Sequence, residues 1–380
     1  MIALSGWTCA PLLTHSVLCR RVVLPGRSHY SGSLEARSMT RSVLCYRVVE
    51  LKLRGQFSID VPAAGARPWR FIHARPRFIA QGPAPRAPPG RHGRRRRAGG
   101  PRRGPVRRRG GRRGFRVRYD ERVFESRRYL AGDDAARAAE LMRYFEDRSV
   151  AAIVALRGGY GSARIVPLLD PERLRPHCKL FMGFSDLTTL HLYFRRRFGW
   201  VTIHGPMATS PFLHNLRDAE ERHLVSLLTD PTYRPRLHFP ELETWVAGAA
   251  EGRLVGGCLS LVVASLGTPY EIETEGTILF LEDLAEAPYR LDRMLTQLRL
   301  AGKLDGAAGL LLGSFQGCQP EDGSYAVEDV LAELLVPLGV PVLARFPGGH
   351  GPANWPLPLH TRVRLDASGR QIELLEPVLE

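Results

Sequence analysis

From Gly114 onward, the sequence predicts an α/β protein with a parallel sheet, and three observations lead to this prediction. Short apolar, β-branched runs alternate with amphipathic segments of helix length. One run, residues 150–156, is continuously apolar, which is typical of a strand buried on both faces of a parallel sheet. The chain has 380 residues, which is enough for two domains.

The first predicted domain covers residues 114–235. Its predicted strands are residues 115–119, 150–156, 179–184 and 200–205, and its predicted helices are residues 133–147 and 186–197. Asp133 or Asp134 is in the position of an N-cap for the first helix. A polar, proline-bearing stretch, residues 229–251, is predicted to be a linker.

The second predicted domain, residues 236–380, continues the alternation of strands and helices. Strands are predicted at residues 253–256, 277–281, 307–312, 340–344, 361–366 and 371–376, and helices at residues 257–266, 288–301 and 324–336. The six cysteines are scattered without a C-x-x-C pair, which argues against a disulfide framework or a zinc site. No apolar run reaches membrane-spanning length and no signal peptide is recognisable, so we expect a cytoplasmic protein.

Residues 1–113 differ from the rest in composition. They hold 25 Lys and Arg but three acidic residues, a net charge of +22, whereas the remaining residues have a net charge of −6. Residues 63–113 are mostly Pro, Gly, Ala and Arg, a composition that buries too little apolar surface to fold, so we predict disorder. This segment is either a basic arm that contacts RNA, DNA or acidic lipid, or GC-rich DNA translated in a wrong frame or from a wrong start.

The sequence Gly183-Phe184-Ser185-Asp186 follows an apolar run and precedes a helical segment. A strand, Gly-x-Ser and a helix are the layout of a nucleophile elbow, in which the turn presents the hydroxyl. The helix N-terminus then offers backbone N–H groups to an oxyanion. Leu187 replaces the second glycine of the α/β-hydrolase pattern, so that family is not supported. The alternative is that Ser185 is only a helix N-cap.

A glycine-rich loop, Arg157-Gly158-Gly159-Tyr160-Gly161, follows the apolar run at 150–156. Its glycines allow a close backbone approach to a ligand, although neither dinucleotide- nor phosphate-binding consensus is present. The alternative is a tight turn between strand and helix. Because this loop and Ser185 both follow parallel strands, we expect them to face one crevice.

Two further residues can complete a proton relay with Ser185. Glu282 lies at the end of a predicted strand and His350 is flanked by glycines in a loop. Such residues can also be a helix cap and a surface histidine, respectively. If they converge, Ser185 attacks an acyl carbon, His350 moves the proton, and Glu282 orients the imidazole. His204 near the crevice is a second candidate.

Six segments together resemble a known family: "RGGYGSARIVPLLD", "KLFMGFSDLTTLHL", "TIHGP", "GRLVGGCLSLV", "LFLEDLAEAPYRLDRMLTQLRLAGKL" and "GHGPANWPLPL". Between residues 114 and 376, the chain closely resembles the LD-carboxypeptidase (murein tetrapeptide carboxypeptidase) family of serine peptidases. The resemblance implies a Rossmann-like, class I glutamine amidotransferase-like first lobe and an α/β second lobe. It further implies the triad Ser185, His350 and Glu282, with an oxyanion hole from the backbone N–H groups of Gly159 and Asp186.

The resemblance also implies an activity and a setting. The family is cytoplasmic, uses no metal or other cofactor, often forms homodimers, and removes the terminal D-alanine from muropeptide tetrapeptides during cell-wall recycling. Some relatives instead cleave microcin-like peptide–nucleotide toxins. Neither a membrane nor nucleic acid is an expected partner. The residues expected to bind substrate are Arg157, Tyr160, His204 and Arg290. For Arg290, a helix-face ion pair is the alternative.

The chain departs from the family at its beginning. Family members start with a "GD-x-I-x-I-x-A-P-S" strand and loop and then a helix, but nothing before Gly114 resembles them. We therefore predict that residues before about 114 are a frameshifted or wrongly started translation, and that the first domain lacks one strand and one helix. A truncated inactive remnant and a nucleic-acid binder using residues 91–113 remain as alternatives.

Overall fold

The computed structural model describes residues 48–49, 119–120, 122, 125–210, 213 and 216–379. Two β-sheets with associated helices account for most of these residues. The mixed α/β architecture with parallel strands is therefore confirmed. The longest described helices have 13 residues, and no helix in the described ranges is long and apolar enough to cross a bilayer.

The first sheet has five strands. In chain order they are β1 (Val48–Val49), β2 (Ala152–Ala155), β3 (Leu180–Gly183), β4 (Thr202–His204) and β11 (Leu357–Leu359). They lie in the sheet in that same order. β2, β3 and β4 are parallel, whereas β1 and β11 pair antiparallel with β2 and β4. The carboxyl ends of β2 and β3 therefore meet at one edge, as the sequence predicts for the glycine loop and Ser185.

Five helices with described bounds belong to this part of the chain. They are α1 (Asp134–Glu146), α2 (Ser162–Ile165), α3 (Pro171–Leu174), α4 (Thr188–Phe198) and α5 (Asp218–Thr229). α1 confirms the helix predicted at 133–147: the Asp133 carboxylate accepts the N–H of Ala135, which satisfies one of the free donors of the first turn. Leu141 and Phe145 lie on its buried face, and α4 ends at Gly199 with φ +69°.

The second sheet has eight strands. They are β5 (Arg236–His238), β6 (Glu243–Val246), β7 (Ala249–Cys258), β8 (Ile278–Leu284), β9 (Gly309–Gln316), β10 (Val342–Ala344), β12 (Arg362–Asp366) and β13 (Gln371–Leu374). Their spatial order is β5–β13–β12–β7–β8–β9–β10–β6. The central four, β7 to β10, are parallel, and the flanking strands are antiparallel.

Three helices accompany the second sheet: α6 (Leu259–Ala264), α7 (Pro288–Leu300) and α8 (Val327–Leu335). The buried leucines of α7 are Leu291, Leu295 and Leu298, and this helical spacing places them on one face. They pack in one core with Leu279 and Leu310 of the sheet. Burying each leucine contributes roughly 1.5–3 kcal/mol relative to exposure. This burial holds α7 against the second sheet.

One prediction of local structure is wrong, and one strand was not predicted. The stretch 229–251 is not a linker, because it contains β5, β6 and the start of β7. β5 and β6 are edge strands. An edge strand can expose many of its residues, as β5 does, so its polar composition resembles that of a loop. β11 was not predicted because it contains Pro358, which a sheet tolerates at an edge position.

Other sequence predictions lie outside the described residues. These are the disorder of residues 1–113, apart from Val48–Val49, and most of the strand predicted at 115–119. The division into domains at residues 235 and 236 stays a prediction, but β11 shows that chain from beyond this point joins the first sheet.

Candidate active site

The strand, turn and helix predicted around Ser185 are present. β3 ends at Gly183, Phe184 is extended, and Ser185 has a φ of +63° before a short 3-10 turn leads into α4. A left-handed backbone is uncommon for a residue other than glycine and is strained by roughly 1–3 kcal/mol, a feature that concentrates at active sites. Ser185 is half-buried. It lies just beyond the carboxyl end of β3.

A buried histidine anchors this turn. His191 Nε2 lies 2.9 Å from the Gly183 carbonyl oxygen, and Nδ1 lies 2.8 Å from the Thr202 hydroxyl. Since the carbonyl only accepts, Nε2 carries the proton and Nδ1 accepts from Thr202. Burial lowers the pKa of His191 to about 4, so the ring stays neutral. The sequence alone does not single out His191, because its partners Gly183 and Thr202 lie on two strands that only the fold brings beside it.

The glycine loop lies directly against the nucleophile turn. A Cβ at Gly158 would be 3.0 Å from Ser185 Cβ and 3.2 Å from its Oγ, so a larger residue would displace the serine. Gly159 has a φ of +121°, a conformation that favours glycine. The Gly159 N–H has no hydrogen-bond partner within the described part of the chain. The glycine loop and the nucleophile turn are therefore adjacent, as the sequence predicts.

Two buried charged side chains hold the loop in place. Asp186 Oδ2 accepts the backbone N–H of Ser162 at 2.9 Å, which joins the start of α2 to the residue after the nucleophile. Arg137 donates from Nη1 to the Gly161 carbonyl at 3.3 Å. Both side chains are 3% exposed. The Asp186 carboxylate thus supports the loop, a role that the sequence did not indicate.

Glu282 and His350 form a close pair. The His350 Nδ1 lies 2.7 Å from Glu282 Oε2, and the same oxygen accepts the His350 backbone N–H at 3.1 Å. A carboxylate beside Nδ1 holds the proton there and leaves Nε2 free to accept another. Glu282 is fully buried in β8, two residues before the strand ends, whereas the His350 side chain is 12% exposed. The pair predicted from the sequence is therefore assembled.

Electrostatics at this pair favour a basic imidazole. Burial of the His350 ring disfavours its charged form, but the Glu282 carboxylate outweighs this through its charge and its hydrogen bond. The pKa of His350 is consequently raised above its ordinary value of 6.5. Gly349, with φ +97°, makes the close approach possible, because a Cβ there would lie 2.3 Å from Glu282 Oε2.

The pair and the nucleophile turn lie side by side. The ring of Phe184, the residue before Ser185, is centred 4.8 Å from the His350 imidazole. The Cys258 N–H at the end of β7 donates to the Thr188 hydroxyl at 3.1 Å, which fixes the second sheet against the first turn of α4. Within the described residues, the Ser185 hydroxyl makes no hydrogen bond, so the serine and the imidazole share one region without being joined.

The four residues expected to bind substrate differ in location and in exposure. Arg157 and Tyr160 are exposed in the glycine loop. Arg290 lies on α7 and pairs with Glu286 at 3.3 Å, which is the helix-face ion pair left open above. The expectation for His204 needs correction, because its side chain is fully buried between the rings of Phe184 and Phe280. It packs behind the site, and burial lowers its pKa well below the ordinary value.

Comparison with known proteins finds matches to both parts of the chain that hold these residues. A family model described as the LD-carboxypeptidase N-terminal domain matches residues 106–205, and one described as the LD-carboxypeptidase C-terminal domain matches residues 251–365. The chain is similar to a probable murein peptide carboxypeptidase of Bacillus subtilis, with 38% identity over 67% of this chain and 81% of that protein. It is also similar to a murein tetrapeptide carboxypeptidase of Pseudomonas aeruginosa, with 35% identity over 60% and 77% of the two chains.

Solved structures show the same likeness. The muramoyltetrapeptide carboxypeptidase from Oxalobacter formigenes superposes with a TM-score of 0.58 and 32% identity, over 64% of this chain and 84% of that chain. The microcin C7 self-immunity protein MccF, in complex with aspartyl sulfamoyl adenosine, gives a TM-score of 0.64 over 68% and 86% of the two chains. At 23% identity, the second likeness concerns the fold alone.

Proposed function

The chain belongs to the LD-carboxypeptidase family, and from this premise we propose that it is a serine carboxypeptidase acting on murein peptides. The reaction would hydrolyse the L,D-peptide bond that holds the terminal D-alanine of a muropeptide tetrapeptide. The observation that carries the proposal is the buried Glu282–His350 pair beside a serine with strained backbone. The relatives named for murein peptides supply the substrate class.

The proposed chemistry proceeds by acyl transfer. Ser185 Oγ attacks the carbonyl carbon of the scissile bond, and His350 Nε2 takes the hydroxyl proton. Glu282 stabilises the imidazolium that forms. The carbonyl oxygen becomes an oxyanion, for which the backbone N–H groups of Gly159 and Asp186 are the proposed donors. When the intermediate collapses, the amine of D-alanine leaves with the proton from His350.

A second half-reaction restores the enzyme. Water replaces D-alanine, gives a proton to His350 and attacks the acyl–Ser185 carbon. The tripeptide acid leaves as Ser185 recovers its proton. Arg157 and Tyr160, both exposed in the glycine loop, are the proposed contacts to substrate from the first sheet. We further propose that the enzyme works in the cytoplasm as a homodimer, and that its first lobe is Rossmann-like and resembles class I glutamine amidotransferases.

Release of D-alanine tests the proposal. The protein is mixed with a muropeptide tetrapeptide, and free D-alanine and the tripeptide product are measured by mass spectrometry. Ser185→Ala is the control, because it removes the attacking oxygen and little volume. Equal turnover by both proteins would contradict the assignment of Ser185, and no release by the unmodified protein would contradict the proposed function.

A further inference from the structure

Two exposed tyrosines stand together next to the glycine loop. Tyr129 is 65% and Tyr160 is 55% exposed, and their ring centroids are 5.9 Å apart in an edge-to-face arrangement. Among the described residues, no other pair of contacting aromatic rings has both members exposed. Large aromatic rings at the surface bring little stability, so a paired exposure of this kind indicates a binding surface.

The position of Tyr129 is fixed by its surroundings. It occupies a tight turn in which Arg127 and Leu130 exchange backbone hydrogen bonds of 2.9 and 3.0 Å. Leu130 is buried, and its Cδ2 would lie 2.9 Å from a Cβ at Gly161. The turn is therefore packed directly onto the loop that carries Tyr160, and the two rings form one surface. We call Tyr129 and Tyr160 the tyrosine pair.

The tyrosine pair is within reach of a substrate bound at Ser185. A Cβ at Gly158 would lie 3.0 Å from Ser185 Cβ, so the two residues are adjacent. Tyr160 follows two residues later, at most about 7.6 Å further between Cα atoms. Once the terminal residue of a tetrapeptide lies on the leaving side, three residues remain on the acyl side. At about 3.3–3.6 Å per residue they span about 10 Å. The group attached to the far end of the peptide thus falls at the distance of the pair.

We propose that the tyrosine pair binds the amino-sugar ring to which a murein peptide is attached, an inference that rests on the proposed function. A pyranose presents a flat C–H face that packs on an aromatic ring, and its hydroxyl and acetamido groups can bond to phenol hydroxyls. The peptide itself carries carboxylates, for which arginine is the better partner. Two adjacent phenol rings therefore fit the sugar better than the peptide.

Kinetics on two matched substrates test this inference. One substrate is the tetrapeptide attached to its amino sugar, and the other is the same tetrapeptide without the sugar. The unmodified protein should cleave the sugar-bearing substrate with the higher kcat/KM. Tyr129→Ala should lower that kcat/KM about 10-fold, mainly through KM, because a stacking contact holds bound substrate equally in ground and transition states. Its kcat/KM on the sugar-free substrate should stay within about twofold.

Two further variants separate the contact from other effects. Tyr129→Phe keeps the ring and loses the hydroxyl, so it should retain most of the preference. Tyr325→Ala removes another exposed tyrosine, 46% exposed, and should change neither substrate. Because Tyr129 is at the tip of an exposed turn, its replacement should leave the thermal unfolding midpoint unchanged.

The outcomes distinguish this inference from the proposed function. If the unmodified protein cleaves neither substrate, the proposed function fails. If the unmodified protein cleaves both substrates equally, the proposed function holds but the tyrosine pair does not bind the sugar. The same conclusion follows if Tyr129→Ala affects both substrates to the same extent, or affects neither. The last two results would assign the pair to the peptide or to another partner.

Discussion

Glu282→Gln is the change that examines the proposed relay most directly. The substitution keeps the shape of the side chain and removes its charge. Glu282 is fully buried and its Oε2 lies 2.7 Å from His350 Nδ1. Glutamine still offers an oxygen to the His350 backbone N–H, so the loop should keep its position while the imidazolium loses its counter-charge.

The expected loss follows from the distance between the charges. With centres about 4 Å apart and an effective dielectric constant of about 20, the attraction is about 4 kcal/mol. At a pH above the pKa of His350, the ring is neutral in the free enzyme and becomes an imidazolium only when it takes the Ser185 proton. The attraction to Glu282 therefore stabilises the transition state rather than the free enzyme. At about 1.4 kcal/mol per tenfold change, kcat should fall by about 10³.

The pH profile gives a second and independent measure. His350 must be neutral to take the serine proton, so kcat/KM should decline on the acid side around the pKa of His350. Glu282 raises that pKa above 6.5. Without the Glu282 carboxylate, burial lowers the pKa of His350 and only the charge of Asp283 still raises it, so the acid limb of Glu282→Gln should move to lower pH while the plateau falls.

Asp283→Asn is the matched control. Asp283 is also buried, but its carboxylate accepts the N–H groups of Ser260 and Leu284 at 2.8 Å and does not contact His350. Its loss should leave kcat within about tenfold and shift the acid limb less. Thermal unfolding of both variants would show that the fold persists. A Glu282→Gln enzyme with at least half of the original kcat and an unmoved acid limb would refute the relay.

Three further changes test other parts of the site. Ser185→Ala should lower kcat by at least about 10⁴ with little change in KM, measured by D-alanine release, and burst kinetics should lose the acyl-enzyme phase. Asp186→Ala should lower kcat about 10- to 100-fold because the glycine loop loses its buried acceptor, whereas Asp186→Asn, which keeps an acceptor oxygen, should stay within a few-fold. Gly349→Ala should lower kcat at least about 10²-fold, because its Cβ would lie 2.3 Å from the Glu282 carboxylate; Gly323→Ala, also at positive φ but with open space, should keep full activity.

Much of the fold was predictable because it follows from local patterns. The helix α1 has an N-cap at Asp133 and apolar residues at helical spacing, and both signals lie within a few residues of each other. β2 was predicted as a buried strand because it is continuously apolar. Strands at sheet edges were missed, since β5 and β11 depend on pairing with partners more than 100 residues away rather than on their own composition.

The candidate site residues that could be predicted are likewise those with a local sequence pattern. Ser185, Glu282 and His350 were predicted from the residues around them: a strand before the serine, a strand before the glutamate, glycines beside the histidine, and the family motifs that contain all three. Residue types and spacing reveal such features because they are encoded in short segments.

The tertiary structure decided everything that depends on distance between segments. It placed the Glu282 carboxylate 2.7 Å from His350 although 68 residues separate them, buried His204 instead of exposing it, and brought Tyr129 against Tyr160. It also turned Asp186 and His191 into supports of the nucleophile turn. Chemical identity is written residue by residue, whereas proximity arises from the packing of two sheets, which no short segment encodes.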